Sequence, residues 1–145
     1  LVDQVAGLLS ADPAASVATA CCALDNPQQY VDPSVVKVVS DAQGHAIYFS
    51  RAAIPHAREA GGHTLDRVPW QNVRRHIGIY AYRCEYLQAL AQAPACKLET
   101  TEGLEQLRVL WMGDKIAVAE ACRSPGPGID TVVDLERAIR DFSRK

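Results

Sequence analysis

Two short apolar runs, separated by four residues, commit part of this chain to an antiparallel pair. Val35-Val36-Lys37-Val38-Val39-Ser40 is a strand by its β-branched content, and His45-Ala46-Ile47-Tyr48-Phe49-Ser50 returns along it. Between them Asp41-Ala42-Gln43-Gly44 is turn chemistry with glycine near its end, so the three pieces make a hairpin. Three further strands are available to it. Residues 16–24 are small and β-branched and read as a buried strand. Residues 75–83 alternate small or apolar residues with polar or aromatic ones. Gly113-Asp114 turns the chain into a last strand over 115–119.

Helices fall between these strands. Leu1, Val2, Val5, Leu8 and Leu9 recur near the helical period and stop at Asp12-Pro13. Asn26-Pro27-Gln28-Gln29 is a turn that starts one helical turn, and Asp32-Pro33 is another stop. A short helix over 85–93 ends at Pro94. Thr100 or Thr101 caps a helix spanning 102–111, whose buried stripe is Leu104, Leu107, Leu110 and Trp111, with Glu105 and Gln106 off the stripe. Thr131 caps a final helix from Val132 to about Ser143. Residues 55–70 show no periodicity and read as a functional or mobile loop. Mixed strands and helices place the chain in the α/β or α+β class.

Composition narrows the function. At 145 residues the chain is one ordinary domain, and its formal charge of -2, with no cluster of basic and aromatic residues, argues against nucleic acid as a partner. Its 5 cysteines are an odd number with no Cys-x-x-Cys, so they read as reduced thiols of a cytosolic protein. Neither the cysteines nor the histidines have zinc-ligand spacing. No window reaches the length of a membrane span, and no signal peptide leads the chain.

Four groups of residues carry possible chemistry. His76 and Tyr80 share one face of their strand, with Gly78 leaving that face open between them. They are the floor of a ligand site or, more plainly, a histidine and a tyrosine satisfied in the core. Four strand residues span roughly 13 Å, so only an elongated ligand would touch both. Arg51 and Arg58 suit an anion, since guanidinium pairs bidentately with carboxylate or phosphate. Glu105-Gln106 offers an acceptor and an amide side by side for hydroxyl recognition, unless it is a solvated helix face. Asp130 follows a Pro/Gly-rich loop and is either a helix N-terminal acid or a ligand for a hard cation such as Mg²⁺.

The pieces also come in a telling order. Val35-Val36-Lys37-Val38-Val39, Tyr48-Phe49-Ser50-Arg51-Ala52-Ala53-Ile54-Pro55, His76-Ile77-Gly78-Ile79-Tyr80-Ala81-Tyr82-Arg83, Leu104-Glu105-Gln106-Leu107-Arg108 and Pro127-Gly128-Ile129-Asp130-Thr131 follow one another. This series resembles the 3-deoxy-manno-octulosonate (KDO) cytidylyltransferases, or CMP-KDO synthetases, from about Asp32 to the C-terminus. The resemblance implies a nucleotide-diphosphosugar-transferase-like α/β fold, a mixed sheet with flanking helices. It implies a cytoplasmic homodimer that makes CMP-KDO and pyrophosphate from CTP and KDO with Mg²⁺, for lipopolysaccharide biosynthesis. Carried over residue by residue, it makes Arg51, Arg58, His76, Tyr80, Glu105 and Gln106 the binders of the sugar acid and Asp130 a magnesium ligand. His76 is the one candidate general base. Two family features have no counterpart here, the Gly- and basic-rich nucleotide loop and a metal-binding Asp before Glu-Pro. Asp32 stands where Asn is usual, and His56 where Trp is usual. The expectation is a sugar-binding, dimerising C-terminal portion of one cytidylyltransferase domain, with the nucleotide-binding half absent and this stretch inactive alone. The alternative is a sugar-acid-binding fragment with no catalytic role. A sister enzyme using a sialic acid fits the Leu-Glu-Gln-Leu-Arg block less well.

Overall fold

The computed structural model describes residues 1–58 and 69–123, together with Val132, Leu135, Glu136, Ile139 and Arg140. Its elements follow in the order α1 (Val2–Ala11), β1 (Val17–Ala23), α2 (Gln28–Val31), β2 (Lys37–Ser40), β3 (Ala46–Ser50), β4 (Arg74–Tyr82), α3 (Cys84–Gln92), α4 (Lys97–Glu102), α5 (Leu107–Trp111) and β5 (Ile116–Glu120). A short 3-10 turn, Trp70–Asn72, leads into β4. The expected hairpin is β2 and β3, and every expected strand in this region is present.

The strands form one mixed sheet in the order β3-β2-β4-β1-β5. Only β1 and β5 run parallel; the other three pairs are antiparallel. The sheet curls. His45, just before β3, bridges Ala117 of β5, and Val118 N–H donates to Gly44 O at 2.7 Å, so the two outer strands meet at the hairpin end. The His45 ring, with Nε2 2.7 Å from Asp12 Oδ2, ties that corner to the end of α1. Gly44 is needed there: its φ is +83°, a conformation costly to any residue with a Cβ.

Both faces of the sheet are covered, which explains why β1 is buried along nearly its whole length. On one face the small side chains of Ala18 and Ala20 let α1 approach, and Val5 and Leu9 pack with them, Ala15 and Ala117. On the other face Val17, Cys21, Val38, Phe49 and Ile116 pack against Leu104, Leu107 and Val109. Leu107, Val109, Phe49 and Ile116 are completely buried. All five cysteines are free; Cys21, Cys22 and Cys96 are buried.

The stretch read as one helix over 102–111 is two. Helix α4 starts earlier, and its cap is Cys96, not Thr100 or Thr101. Glu99 N–H donates to Cys96 Sγ and Cys96 N–H donates back to the Glu99 carboxylate, a reciprocal box. Thr100 lies inside the helix, its hydroxyl 3.2 Å and 3.0 Å from the carbonyls of Cys96 and Lys97. Gly103, at φ +64°, ends α4 in the left-handed conformation. The restart changes the phase of α5. Leu104, Gln106, Leu107 and Val109 turn inward, and Trp111, expected in the stripe, is exposed. Thr131, the expected cap of the last helix, lies outside the described residues. Val132, Leu135, Glu136, Ile139 and Arg140 are helical, as expected.

Candidate functional site

The site begins with an irregularity in β4. Thr19 pairs with Tyr80 and the next residue, Ala20, with Ile77, so one step along β1 answers three along β4. Gly78 and Ile79 are the two extra residues, a bulge. Because the excess is even, faces are preserved: His76 opposes Cys21, Tyr80 opposes Thr19, and both project on the side of Val17. The shared face of His76 and Tyr80 is therefore as expected. Their separation is not. The ring centroids are 5.3 Å apart, far less than a regular strand would give, because the bulge takes up the intervening length. A Cβ on Gly78 would meet no heavy atom within 4 Å, so the backbone there is open.

The two rings belong to a continuous aromatic row. Phe49 meets His76 edge-on at 5.0 Å, and Tyr80 lies 5.7 Å from Tyr82. Below the row, the buried hydroxyl of Thr19 lies 2.9 Å from His76 Nε2, 2.7 Å from Ile79 O and 3.2 Å from Ile77 O. Burial pushes the His76 pKa down to about 4, so at neutral pH the ring is uncharged and a weak base. That weighs against His76 as the general base. Burial, and then the nearby Glu105 carboxylate, raise the Tyr80 and Tyr82 phenols, which stay protonated.

The α4–α5 corner faces this row. Glu105 is exposed, yet close enough for its charge to act on both tyrosines. Gln106 is not on a solvated face. Only 2% of it is exposed, and its side chain makes no hydrogen bond among the described residues.

Arg51 belongs to the same corner. Its Nε donates to Glu102 O at 2.9 Å and its Nη1 to Pro33 O at 3.1 Å, while the Glu102 carboxylate accepts from Arg51 N–H and the Ser50 hydroxyl. Beneath it lies Lys37, completely buried, whose ammonium donates to the carbonyls of Asp32, Val35 and Arg51. Burial lowers the Lys37 pKa. Arg51 is thus held in place by two carbonyls and supported from below.

The structure brings His76 and Tyr80 into ring contact and Glu105 within electrostatic reach of Tyr80, with Gln106 next to Glu105 in sequence; Arg51 is fastened to Glu102, at the end of α4. Arg58 is exposed, with no hydrogen bond or ion pair to the others. Asp130 lies outside the described residues. Arg83, at the end of β4, is structural: its guanidinium donates to Leu9 O, Asp12 O and Ala15 O and fastens the strand to α1. Thr19 escaped sequence reading, because a threonine in a buried strand is ordinary. Its only signal was being the one hydroxyl between Val17 and Leu24, a run otherwise of apolar residues.

A family model described as Cytidylyltransferase matches residues 1–116, which include every candidate residue except Asp130. The chain belongs to the cytidylyltransferase family. Curated relatives of the chain include a 3-deoxy-manno-octulosonate cytidylyltransferase of Acidovorax ebreus (strain TPSY), 50% identical over 144 residues, 94% of this chain and 55% of the relative. Another, of Leptothrix cholodnii, is 47% identical over 142 residues, 98% of this chain and 52% of the relative. Among solved structures, CMP:2-keto-3-deoxy-manno-octonic acid synthetase complexed with CTP superposes with a TM-score of 0.83 at 36% identity, over 99% of this chain and 55% of that one. The chain therefore spans about half the length of the relatives it matches. The α/β architecture expected from the sequence agrees with that structural match.

Proposed function

We propose that the protein carrying this chain transfers CMP from CTP to KDO, giving CMP-KDO and pyrophosphate for lipopolysaccharide biosynthesis. The relatives' names supply the substrates. The observation that carries the reading is the row of His76, Tyr80 and Tyr82, rings 5.3 Å and 5.7 Å apart in turn, with the Glu105 carboxylate close enough to act on both tyrosines and the Gln106 amide next to it in sequence. An acceptor, an amide, two phenols and a neutral imidazole within one small region suit the row of hydroxyls on an eight-carbon sugar acid. Arg51, and Arg58 with it, suit the sugar's carboxylate.

In this reading the anomeric hydroxyl oxygen of KDO bonds to the α-phosphorus of CTP. The bond from that phosphorus to the bridging oxygen breaks, pyrophosphate leaves, and the hydroxyl proton passes to solvent. These residues bind and orient the nucleophile, and orientation accounts for much of such a rate enhancement. Mg²⁺ is the proposed cofactor, supplying neutralisation of phosphate charge when bound. Asp130 is the carboxylate this chain offers it, and such an ion takes few carboxylates, completing its shell with water and phosphate. Among the described residues no three His, Cys, Asp or Glu gather as a metal cage.

The test is pyrophosphate release from CTP plus KDO with Mg²⁺ by the full-length protein. No release under those conditions sinks the enzyme reading. A second reading rests on the half-length span of the relatives: this chain alone binds the sugar acid without catalysis. Calorimetry of the 145-residue chain with KDO and no CTP decides it, and absence of heat removes it. The proposed protein is a cytoplasmic homodimer. Exposed Trp111 and Met112, adjacent at the end of α5, support a covered surface. No helix among the described residues is long and apolar enough to cross a membrane. Light scattering giving a monomer mass would exclude the dimer.

A further inference from the structure

The bulge in β4 and the ring of His76 meet at one atom, the hydroxyl oxygen of Thr19. Thr19 is completely buried, so water does not compete for that hydroxyl. It has one proton and three polar neighbours: Ile79 O at 2.7 Å, Ile77 O at 3.2 Å and His76 Nε2 at 2.9 Å. The two carbonyls can only accept. If the hydroxyl gave its proton to His76, both carbonyls would face a lone pair, one of them at 2.7 Å. The arrangement is consistent only when the proton goes to a carbonyl, Ile79 O being nearer, and the oxygen accepts from an Nε2–H on His76. The opposite nitrogen, Nδ1, is then a bare acceptor, with no hydrogen bond among the described residues.

We propose that Thr19 is a positioning residue: it holds the bulge and His76 together and fixes the imidazole as the Nε2–H tautomer, so that Nδ1 is offered as an acceptor to a sugar hydroxyl. The last clause rests on the sugar-acid reading above; the tautomer does not. The consequence is directional. A His76 locked this way accepts from a ligand hydroxyl and never donates to one. It therefore selects hydroxyl-bearing ligands over those presenting only acceptors at that point. The same hydroxyl keeps Ile79 O turned inward, so one side chain sets both the strand's irregularity and the ring's polarity.

The experiment is long-range proton–nitrogen NMR of the His76 ring in the full-length protein, with KDO calorimetry alongside. The wild type should show a protonated Nε2 and a bare Nδ1 near neutral pH. Thr19→Ser, which keeps the hydroxyl, should match it. Thr19→Val, which keeps the shape, should mix the tautomers and weaken KDO binding about tenfold, the scale of one hydrogen bond lost at a buried site. A wild type protonated at Nδ1 overturns the proposal, as does a Thr19→Val ring with an unchanged tautomer. If Thr19→Val does not fold, the wild-type and Thr19→Ser spectra still decide. A correct tautomer with no KDO heat in the wild type upholds the lock and removes the sugar-acid reading, so the two fail separately.

Discussion

The His76 ring lies between Phe49, Tyr80 and the Thr19 hydroxyl, and burial there makes it a liability in acid. An unfolded histidine titrates near 6.5, whereas burial holds this one to about 4. Between those values the unfolded chain takes up a proton that the folded chain refuses. The contribution to stability is therefore full above about pH 6.5 and is lost as the pH falls toward 4. From pH 7 to pH 5 this one group should cost roughly 2 kcal/mol. Urea unfolding at the two pH values should show that loss in the wild type, and His76→Gln should show less of it by about that amount. An equal loss in both would place the acid sensitivity elsewhere. The face shared by His76 and Tyr80 was legible in the sequence, because side chains alternate strictly along a strand. Their 5.3 Å contact was not, because it comes from the bulge, whose Ile79 carbonyl meets the Thr19 hydroxyl 60 residues away in the sequence.

At the scale of elements, the break at Gly103 decides what the α4–α5 corner presents. A continuous helix would have left Gln106 on its outer side; the restart after a left-handed glycine turns it in. Gly103→Ala forces a Cβ into that conformation, with its nearest neighbour, Arg51 Nε, at an ordinary 4.0 Å. The cost is backbone strain of about 1–2 kcal/mol, read as a lower urea midpoint at unchanged slope. Leu107→Ala, at a completely buried position next to Gln106, should cost about 2–5 kcal/mol by cavity formation. A loss under 1 kcal/mol by the same measurement would mean that the corner is loosely packed. This break was hard to read because residues 102–111 carry an unbroken apolar period, and a lone glycine inside such a pattern is usually tolerated. Cys96 gave no cue either, since a thiol is not among the preferred capping side chains.

For the whole molecule, the hairpin and each strand around it could be read locally, from β-branched runs and turn residues. The strand order could not, since β1 pairs with β4 and β5, both far along the chain. Nor could the curl that brings His45 to Ala117. Within that sheet the irregularity in β4 has an unusual property: it can be excised in frame. Removing Gly78 and Ile79 would join Ile77 to Tyr80 and leave a regular ladder, with every other β4 side chain on its present face and opposite its present partner. Such a deletion should keep a cooperative melt while Thr19 loses its nearer carbonyl acceptor and KDO binding falls. A deleted chain that no longer folds, by circular dichroism, would show that the sheet itself needs the extra length. If it folds, the ligand site is a two-residue insertion in a strand that did not need it, and scaffold and site can change independently.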